Sequence, residues 1–545
     1  VTGPRRGARW CQLDGPAVGG LLGVALILWQ TLARPGPWLD EIALLRNAFE
    51  LDLRTLLAGH QDFDQLAPVG FVLAVRWVGA VLGAGDFAVR CVPALAALAG
   101  LAGAVALARR LHGGLVAGFV APLGLAAAPL ALRYASELRP YGSELALTLL
   151  ATLVVAEGGA GRRRSALWLG LCAAGPWLAP AAAPALAGAL VLTLAERGPA
   201  AMSWRTRASA AVLLIGGMAG SWGLIAAGRT PAAVEYLATY WQRGFPPAQP
   251  GLAPLAWLPS ALAAVSGELF GLGAVAGAGI ATLSGLGLLR LVRRERRTGV
   301  AFVVPVLAAA VLALVHAYPL AGRLALPLLA PLVFGLAELL AALEQRLGRG
   351  LPGAARAVPL ALVATGLAVV AVAPPLGTFE PARPLIEQLA AQRRPGDPVY
   401  VYYGAWQAYC HYGRAAGLLD DRARIGGCHR GEPAAYEREL DTFRGEPRVW
   451  ILFTHDAPWR SEREGVLAHA DRIGRRRLSV EIPRRGNPAF AAAALYLFDF
   501  SAAPTPGPFD PPEWSGGGRG CRAGPHVPPA PMLDAAAACR IDAAS

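Results

Sequence analysis

The chain of 545 residues is 55% hydrophobic and only 16% charged, with a mean hydropathy of +0.43, against about 25% charged residues in an average soluble domain. Its apolar residues come in blocks of membrane-spanning length, so soluble globular, fibrous, disordered and small disulfide-scaffold classes are excluded and a polytopic α-helical membrane protein remains. The net charge is +13 and all 50 basic residues are arginine; they sit mostly at the ends of apolar segments, where orientation in a bilayer explains them, and no nucleic acid is expected as a partner.

In chain order, Arg5, Arg6 and Arg9 precede a first apolar run near 17–32, read as a spanning helix that starts in the cytoplasm. Further runs lie near 88–108, 114–132, 143–156, 165–177, 180–196, 208–227, 270–292, 300–316, 324–343 and 355–375. The arginine-bearing turns at 109–110, 162–164, 205–207, 293–297 and 346–349 then fall on one side. That positive-inside pattern predicts about eleven spans in the cell membrane, with the C-terminal part extracytoplasmic. Segment 67–83 is apolar but carries Arg76 at its middle. As a span it would invert everything after it, so it is expected to lie in the interface or to be re-entrant.

After residue 376 charge density rises and the pattern alternates. Helices are expected near 381–394, 405–412, 434–443 and 461–470, and strands near 399–403, 448–453, 478–483 and 493–500. Residues 376–500 thus read as a small extracytoplasmic α/β domain behind a membrane domain at 1–375. The Gly-, Pro- and Ala-rich stretch 501–545 reads as a disordered tail. Four cysteines, Cys410, Cys428, Cys521 and Cys539, would meet an oxidising compartment there; Cys410–Cys428 is the expected pair, and unpaired burial is the alternative.

Polar groups at predicted helix ends are the candidate chemistry. Asp40 and Glu41 follow the first run by a few residues; two carboxylates at a membrane boundary are costly unless they have partners or work to do, and the competing reading is the acidic first turn of an amphipathic helix at 39–51. A second link carries Arg133, Glu137, Arg139 and Tyr141, an acid–guanidinium–phenol set suited to a polar head group or to a self-satisfied turn. A third, with His316, Tyr318 and Arg323, puts an arginine at the entry to an apolar helix, where its planar fork suits phosphate or carboxylate. Arg90 is a fourth. Snorkelling to the interface is the alternative for each arginine. The outer loop at 229–255 holds Glu235, Tyr236, Tyr240, Trp241 and Arg243; aromatics interleaved with polar groups suit a sugar or an interfacial anchor equally.

Taken together, Leu39-Asp40-Glu41 after the first span, then Leu66-Ala67-Pro68-Val69-Gly70-Phe71, then Gly85-Asp86-Phe87-Ala88-Val89-Arg90, resemble the start of GT-C glycosyltransferases, integral-membrane enzymes that use polyprenyl-phosphate sugars. The family 39 and family 83 types, the protein O-mannosyltransferase and aminoarabinose transferase kinds, are the most similar. Arg133–Tyr141 resembles their second outer-loop segment, and Tyr318–Arg323 their arginine at a helix entry. The chain departs from the pattern in having Ala67-Pro68 where members usually carry two prolines, often after His, and in having Leu324 rather than Tyr after Arg323.

The resemblance implies sugar transfer from a polyprenyl phosphate to an extracytoplasmic lipid, glycan or protein acceptor, with inversion at the anomeric carbon. It assigns Asp40 as base, Glu41 and Glu137 as acceptor- or sugar-positioning acids, and Arg90, Arg139 and Arg323 to the donor phosphate. Tyr141, Tyr240, Trp241 and Tyr318 would line the sugar or acceptor site. Some members need a divalent metal and others do not; Asp40, Glu41 and Glu137 carry oxygens of the kind such a metal takes. A transporter or flippase of a lipid-linked or anionic substrate is the alternative function, and a scaffold that binds lipid-linked sugar without turnover is a third. The run Tyr402, Tyr403, Trp406, Tyr409, Tyr412 reads as domain core or as a glycan-binding surface.

Overall fold

The computed structural model of the chain falls into two units, one of Val1–Ala33, Leu56–His60 and Leu66–Pro375, the other of Arg34–Thr55, Gln61–Gln65 and Leu376–Ser545. The structure describes residues 14–33, 36–63, 65–112, 115–198, 201–247, 251–350, 380–456, 462–484, 487–501 and 532–541.

The first unit is helical. Among its described residues seven helices are long and apolar enough to cross a membrane: Gly15–Ala33, Asp86–Leu111, Trp204–Ala227, Ala253–Phe270, Ala274–Arg294, Arg296–Leu314 and Gly322–Arg346. Shorter apolar helices, among them Val69–Leu82, Tyr141–Glu157, Arg162–Leu178 and Ala183–Leu194, pack between them. The expected run at 355–375 lies outside the described residues. Helix Ala253–Phe270 is not among the expected runs, which pass from an outer loop at 229–255 to an apolar run that starts at 270; Pro254 sits in its opening turn, where a missing N–H costs nothing, and Pro259 lies inside it.

The arginine-bearing turns gather at one end of the bundle, as expected from their positions. Asp14 at the start of the first helix pairs with Arg109 at 2.9 Å. Arg164 and Arg297 both pair with Glu196, the latter at 2.8 Å, and Arg290 and Arg294 pair with Glu338 at 3.1 and 2.7 Å. Close approach elsewhere depends on small residues: a side chain at Gly287 would collide with the backbone of Gly335, so these two helices touch main chain to main chain. Helix Val69–Leu82 has 14 residues and is about 21 Å long, too short to span. Gly70 at its start abuts Trp177 at the end of Arg162–Leu178, far from the arginine turns, and Gly83 after it leads into Asp86 at the same end. It therefore begins and ends toward the same end of the bundle.

The second unit is an α/β domain. Strands β1 (Val399–Val401), β2 (Ala423–Ile425), β3 (Val449–Thr454), β4 (Arg475–Arg484), β5 (Asn487–Asp499) and β6 (Leu533–Asp534) form one sheet in the order β4-β5-β3-β1-β2-β6. The centre β3-β1-β2 is parallel and the flanks are antiparallel. Alternation sorts the side chains of β3: Trp450 and Leu452 join Val399, Val401, Ile425 and helices Ala382–Gln392 and Trp406–Ala415 on one face. Val449, Ile451 and Phe453 join Tyr400, Tyr402, Tyr496 and helices Pro433–Asp441 and Glu462–Ile473 on the other. Both faces are covered, as a parallel centre requires.

Two expectations about this domain are corrected. Residues 532–541, assigned to a disordered tail, form β6 against β2 and the helix Ala535–Ile541, because Leu533, Ala535 and Ala538 bury apolar surface on the sheet. Cys410 pairs with Cys539, not with Cys428; Cys428 is in a disulfide as well. The Cys410 bridge spans 129 residues, a closed loop that removes about 5 kcal/mol of chain entropy from the unfolded domain. β2 was also not foreseen, since three residues leave too short an apolar pattern to read.

The loop after the first helix belongs to this domain. Ile42 and Ala43 of helix Leu39–Phe49 sit in the same apolar cluster as Ala405, Trp406 and Tyr409. The Arg46 guanidinium lies over Phe63 and Trp406, at 4.8 and 5.9 Å from the ring centroids, and the Tyr412 hydroxyl donates to Pro37 O at 2.8 Å.

Candidate functional site

In the helical unit, three segments far apart in sequence meet at the end opposite the arginine turns. Pro129 starts the short helix Pro129–Tyr134, and the link that follows ends at Pro140, which opens helix Tyr141–Glu157. Within that link the fully buried Glu137 accepts from Arg133 Nε at 2.6 Å, and Tyr141 meets Tyr134 edge-on at 4.8 Å. Gly322, at φ +51°, turns the chain so that its N–H reaches Glu268 Oε2 at 2.8 Å. Arg323 then lies between two rings, 5.6 Å from Tyr141 and 5.4 Å from Trp241. A cation between aromatic faces is favoured by their quadrupoles. The third segment is tied in by Leu320 N–H donating to Gly244 O at 2.8 Å and by His316 stacked on Phe245.

The remaining sequence candidates of this unit are placed as follows. Tyr318 is half-buried and within electrostatic reach of Glu144, Tyr141 and Arg323. Arg90 and Arg139 are buried at the same end, outside the ring pair that holds Arg323. Tyr240 is exposed, stacked on Tyr236 and edge-on to Trp241. Glu144 was not foreseen from sequence, because a single acid in the first turn of an apolar helix reads as a dipole partner.

In the α/β unit, helix Leu39–Phe49 carries the two adjacent acids with different fates. Glu41 is fully buried and its Oε2 accepts the Trp38 N–H at 3.3 Å, closing the helix start. Asp40 is half-buried and within electrostatic reach of His455. His455 follows β3 with a left-handed backbone, φ +53°, and its Nδ1 lies 2.7 Å from Glu380 Oε1. Burial disfavours the imidazolium, but the Glu380 carboxylate outweighs it, Asp40 adds to the effect and Arg430 opposes it; the net direction is upward from the ordinary histidine value. Burial also pushes the neighbouring Asp456 up to about 6, against the pull of Arg463 at 3.1 Å. Arg430, in the segment after β2, donates from Nε to the Tyr403 hydroxyl and covers its ring.

Tyr403, Arg430 and His455 all follow the carboxyl ends of the parallel strands, where open α/β sheets collect ligand-facing groups. Polar residues directly after an apolar strand were the available signal for them. Of the aromatic run, Tyr402, Tyr403, Trp406 and Tyr409 are buried and Tyr412 is half-buried.

Among the described residues no group of three His, Cys, Asp or Glu side chains converges. Glu41 is engaged at its helix start and Glu137 by Arg133.

No known family model matches the chain, and no curated protein matches it significantly. Among solved structures it is similar to the oligosaccharyltransferase of Archaeoglobus fulgidus in complex with Zn and sulfate, at 12% identity over 80% of this chain and 68% of that one, TM-score 0.40. It is also similar to ArnT from Cupriavidus metallidurans in the apo state, at 13% identity over 90% and 98%, TM-score 0.47. The same protein bound to undecaprenyl phosphate matches at 14% over 88% and 97%, TM-score 0.46. By its own helices and sheet, the chain is a multi-pass membrane protein with a C-terminal extramembrane α/β domain.

Proposed function

We propose that the chain is a GT-C-type membrane glycosyltransferase, similar to the family 39 and 83 enzymes, that moves a sugar from a polyprenyl-phosphate donor to a hydroxyl of an extracytoplasmic acceptor. The observation that carries this reading is Arg323 held between Tyr141 and Trp241 beside the Arg133–Glu137 pair. That is a cation for a phosphate, with ring faces for a sugar, away from the arginine turns.

The acceptor oxygen attacks C1 of the sugar and the C1–O bond to phosphate breaks. The electron pair leaves with the polyprenyl phosphate, and the acceptor proton passes to Asp40. A single displacement inverts the anomeric centre. Arg323, with Arg90 and Arg139, stabilises charge that grows on the phosphate in the transition state. Glu137, already bonded to Arg133, orients rather than accepts the proton, and Tyr141, Trp241, Tyr318 and Tyr240 face the sugar or acceptor.

Purified protein in nanodiscs is incubated with a panel of polyprenyl-phosphate sugars, and release of polyprenyl phosphate is followed. Loss of a positioned base is expected to slow release about 100- to 10,000-fold in Asp40→Asn at an unchanged thermal midpoint. Donor binding without release, insensitive to Asp40→Asn, would move the reading to a transporter or scaffold.

A further inference from the structure

Among the described residues several buried carboxylates have a partner for at least one oxygen. Glu137 has Arg133, Glu196 has Arg164 and Arg297, Glu338 has Arg290 and Arg294, and Glu41 has the Trp38 N–H. Glu144 departs from this. It is 3% exposed in the first turn of helix Tyr141–Glu157, and its Oε2 meets no hydrogen-bond donor. The nearest hydroxyl on its own helix, Thr148, donates to the Glu144 backbone carbonyl at 2.9 Å instead. A carboxyl left this way in an apolar bundle destabilises the fold, since it has lost water and gained no replacement. Leu, which fills a similar volume, would serve folding better. The side chain stands within electrostatic reach of Tyr318, which also feels Tyr141 and Arg323. Tyr318 thus stands between the reach of the buried acceptor and that of the cation that the preceding reading gives to the donor phosphate, and Glu144 lies one turn along its helix from Tyr141, whose ring Arg323 covers.

We propose that Glu144 is a sugar-binding residue of the donor site, its carboxyl accepting a hydrogen bond from a hydroxyl of the sugar whose phosphate Arg323 holds. The inference rests on the reading of Arg323 as the phosphate-binding group. A sugar esterified to that phosphate is tethered close to Arg323, and the flanking rings of Tyr141 and Trp241 offer its C–H face a surface. The hydroxyl supplies the donor that the carboxyl lacks. The unoccupied acceptor then works as a selectivity device, because lipid phosphate without a sugar leaves it unsatisfied.

The test uses the full chain in nanodiscs and two probes, undecaprenyl phosphate alone and undecaprenyl phosphate carrying a hexose or pentose from a panel. Glu144→Leu is expected to raise the thermal midpoint, to weaken binding of the sugar-bearing lipid about 10- to 100-fold, and to leave undecaprenyl phosphate binding within about twofold. Glu144→Gln, which keeps a carbonyl acceptor, is expected to fall between Leu and wild type. A lowered midpoint in Glu144→Leu would make the residue structural and overturn the proposal. Equal weakening for both lipids would overturn it too, as a phosphate or charge effect. Unchanged sugar-lipid binding with lost transfer would assign Glu144 to the acceptor instead. If the wild type binds neither lipid, the donor reading itself fails, which is distinct from a wild type that binds the sugar-lipid and a Leu variant that binds it equally well.

Discussion

The helical unit and the α/β unit treat buried polar groups differently. In the α/β unit Asp397 and Glu439 are each enclosed by several donors. Asp397 Oδ2 accepts from Arg394 N–H, Arg448 Nε and Trp450 Nε1 at 3.0, 2.9 and 3.2 Å. Glu439 accepts from the Tyr400 hydroxyl and the Gly427 N–H, both at 2.8 Å, and lies 2.9 Å from His429 Nε2. Backbone and side chains share the work, and the networks hold loops to the sheet. In the helical unit the backbone is consumed by its own helices, so buried carboxylates depend on arginine. Where arginine clusters, at the end of the bundle that also carries the arginine turns, Glu196 and Glu338 are each held by two arginines. At the opposite end Arg323 lies against the rings of Tyr141 and Trp241, and Glu144 Oε2 meets no hydrogen-bond donor. The arginine end is therefore a structural end, its carboxylates tied into ion pairs.

The pair at the structural end supplies the largest expected effect. Arg164 and Glu196 are each 3% exposed, and Arg164 also donates to Val154 O and Gly159 O at 2.7 and 2.6 Å. Arg164→Leu removes the arginine and leaves Glu196 to Arg297, which is half in solvent. A broken buried pair is expected to lower stability by about 3–5 kcal/mol, while Arg164→Leu combined with Glu196→Leu recovers most of the loss. Thermal midpoints in nanodiscs compare the two. A double variant as unstable as the single one would mean the ion pair itself, rather than the stranded charge, holds this end.

Asp397 is the corresponding test in the sheet domain, with a smaller effect. Burial opposes its ionisation, but the bonds from the Arg394 N–H, Arg448 and Trp450 outweigh burial and hold its carboxyl below the usual range. A depressed carboxyl contributes stability above its unfolded value and loses it as pH falls through the folded one. Asp397→Asn is expected to cost about 1–3 kcal/mol at neutral pH. It should also flatten the fall in midpoint below about pH 4, near the unfolded carboxyl value. Equal acid sensitivity in variant and wild type would assign that fall to other carboxylates.

The sequence carried the membrane class, the arginine end and the strand–helix alternation, because each is a pattern of many residues. Three segments of the candidate site, at 133–141, 240–245 and 316–323, were also legible as polar breaks between apolar runs. Their meeting was not, since nothing local says that Arg323 will lie between Tyr141 and Trp241. Helix Ala253–Phe270 was hidden by two prolines, and β2 by its length. The union of helix Leu39–Phe49 with the sheet domain was hidden for a different reason: it joins residues more than 350 positions apart, as Tyr412 to Pro37 shows. Asp40 and Glu41, treated together in sequence, diverge because successive helix positions lie about 100° apart. One acid therefore turns inward to cap the helix and the other stays half-exposed.

The smallest expected effect concerns that half-exposed acid. The His455 imidazolium, favoured by Glu380 and then by Asp40, stabilises the folded domain fully below the ordinary histidine value. Because the folded value is raised, this stability is lost as pH rises through it. The side chain is 39% exposed, so solvent screening reduces the contribution to roughly 0.3–0.5 kcal/mol. The midpoint of the wild type should therefore drift downward across the histidine range. Glu380→Gln should move that drift to lower pH, and Asp40→Asn should move it in the same direction by less. Histidine-selective NMR of the full chain, with the His455 signal assigned by its loss in His455→Gln, reads the same order directly. A His455 signal that titrates identically in Asp40→Asn and wild type would separate Asp40 from the strand end. Asp40 would then owe nothing electrostatically to the sheet domain that its helix packs into.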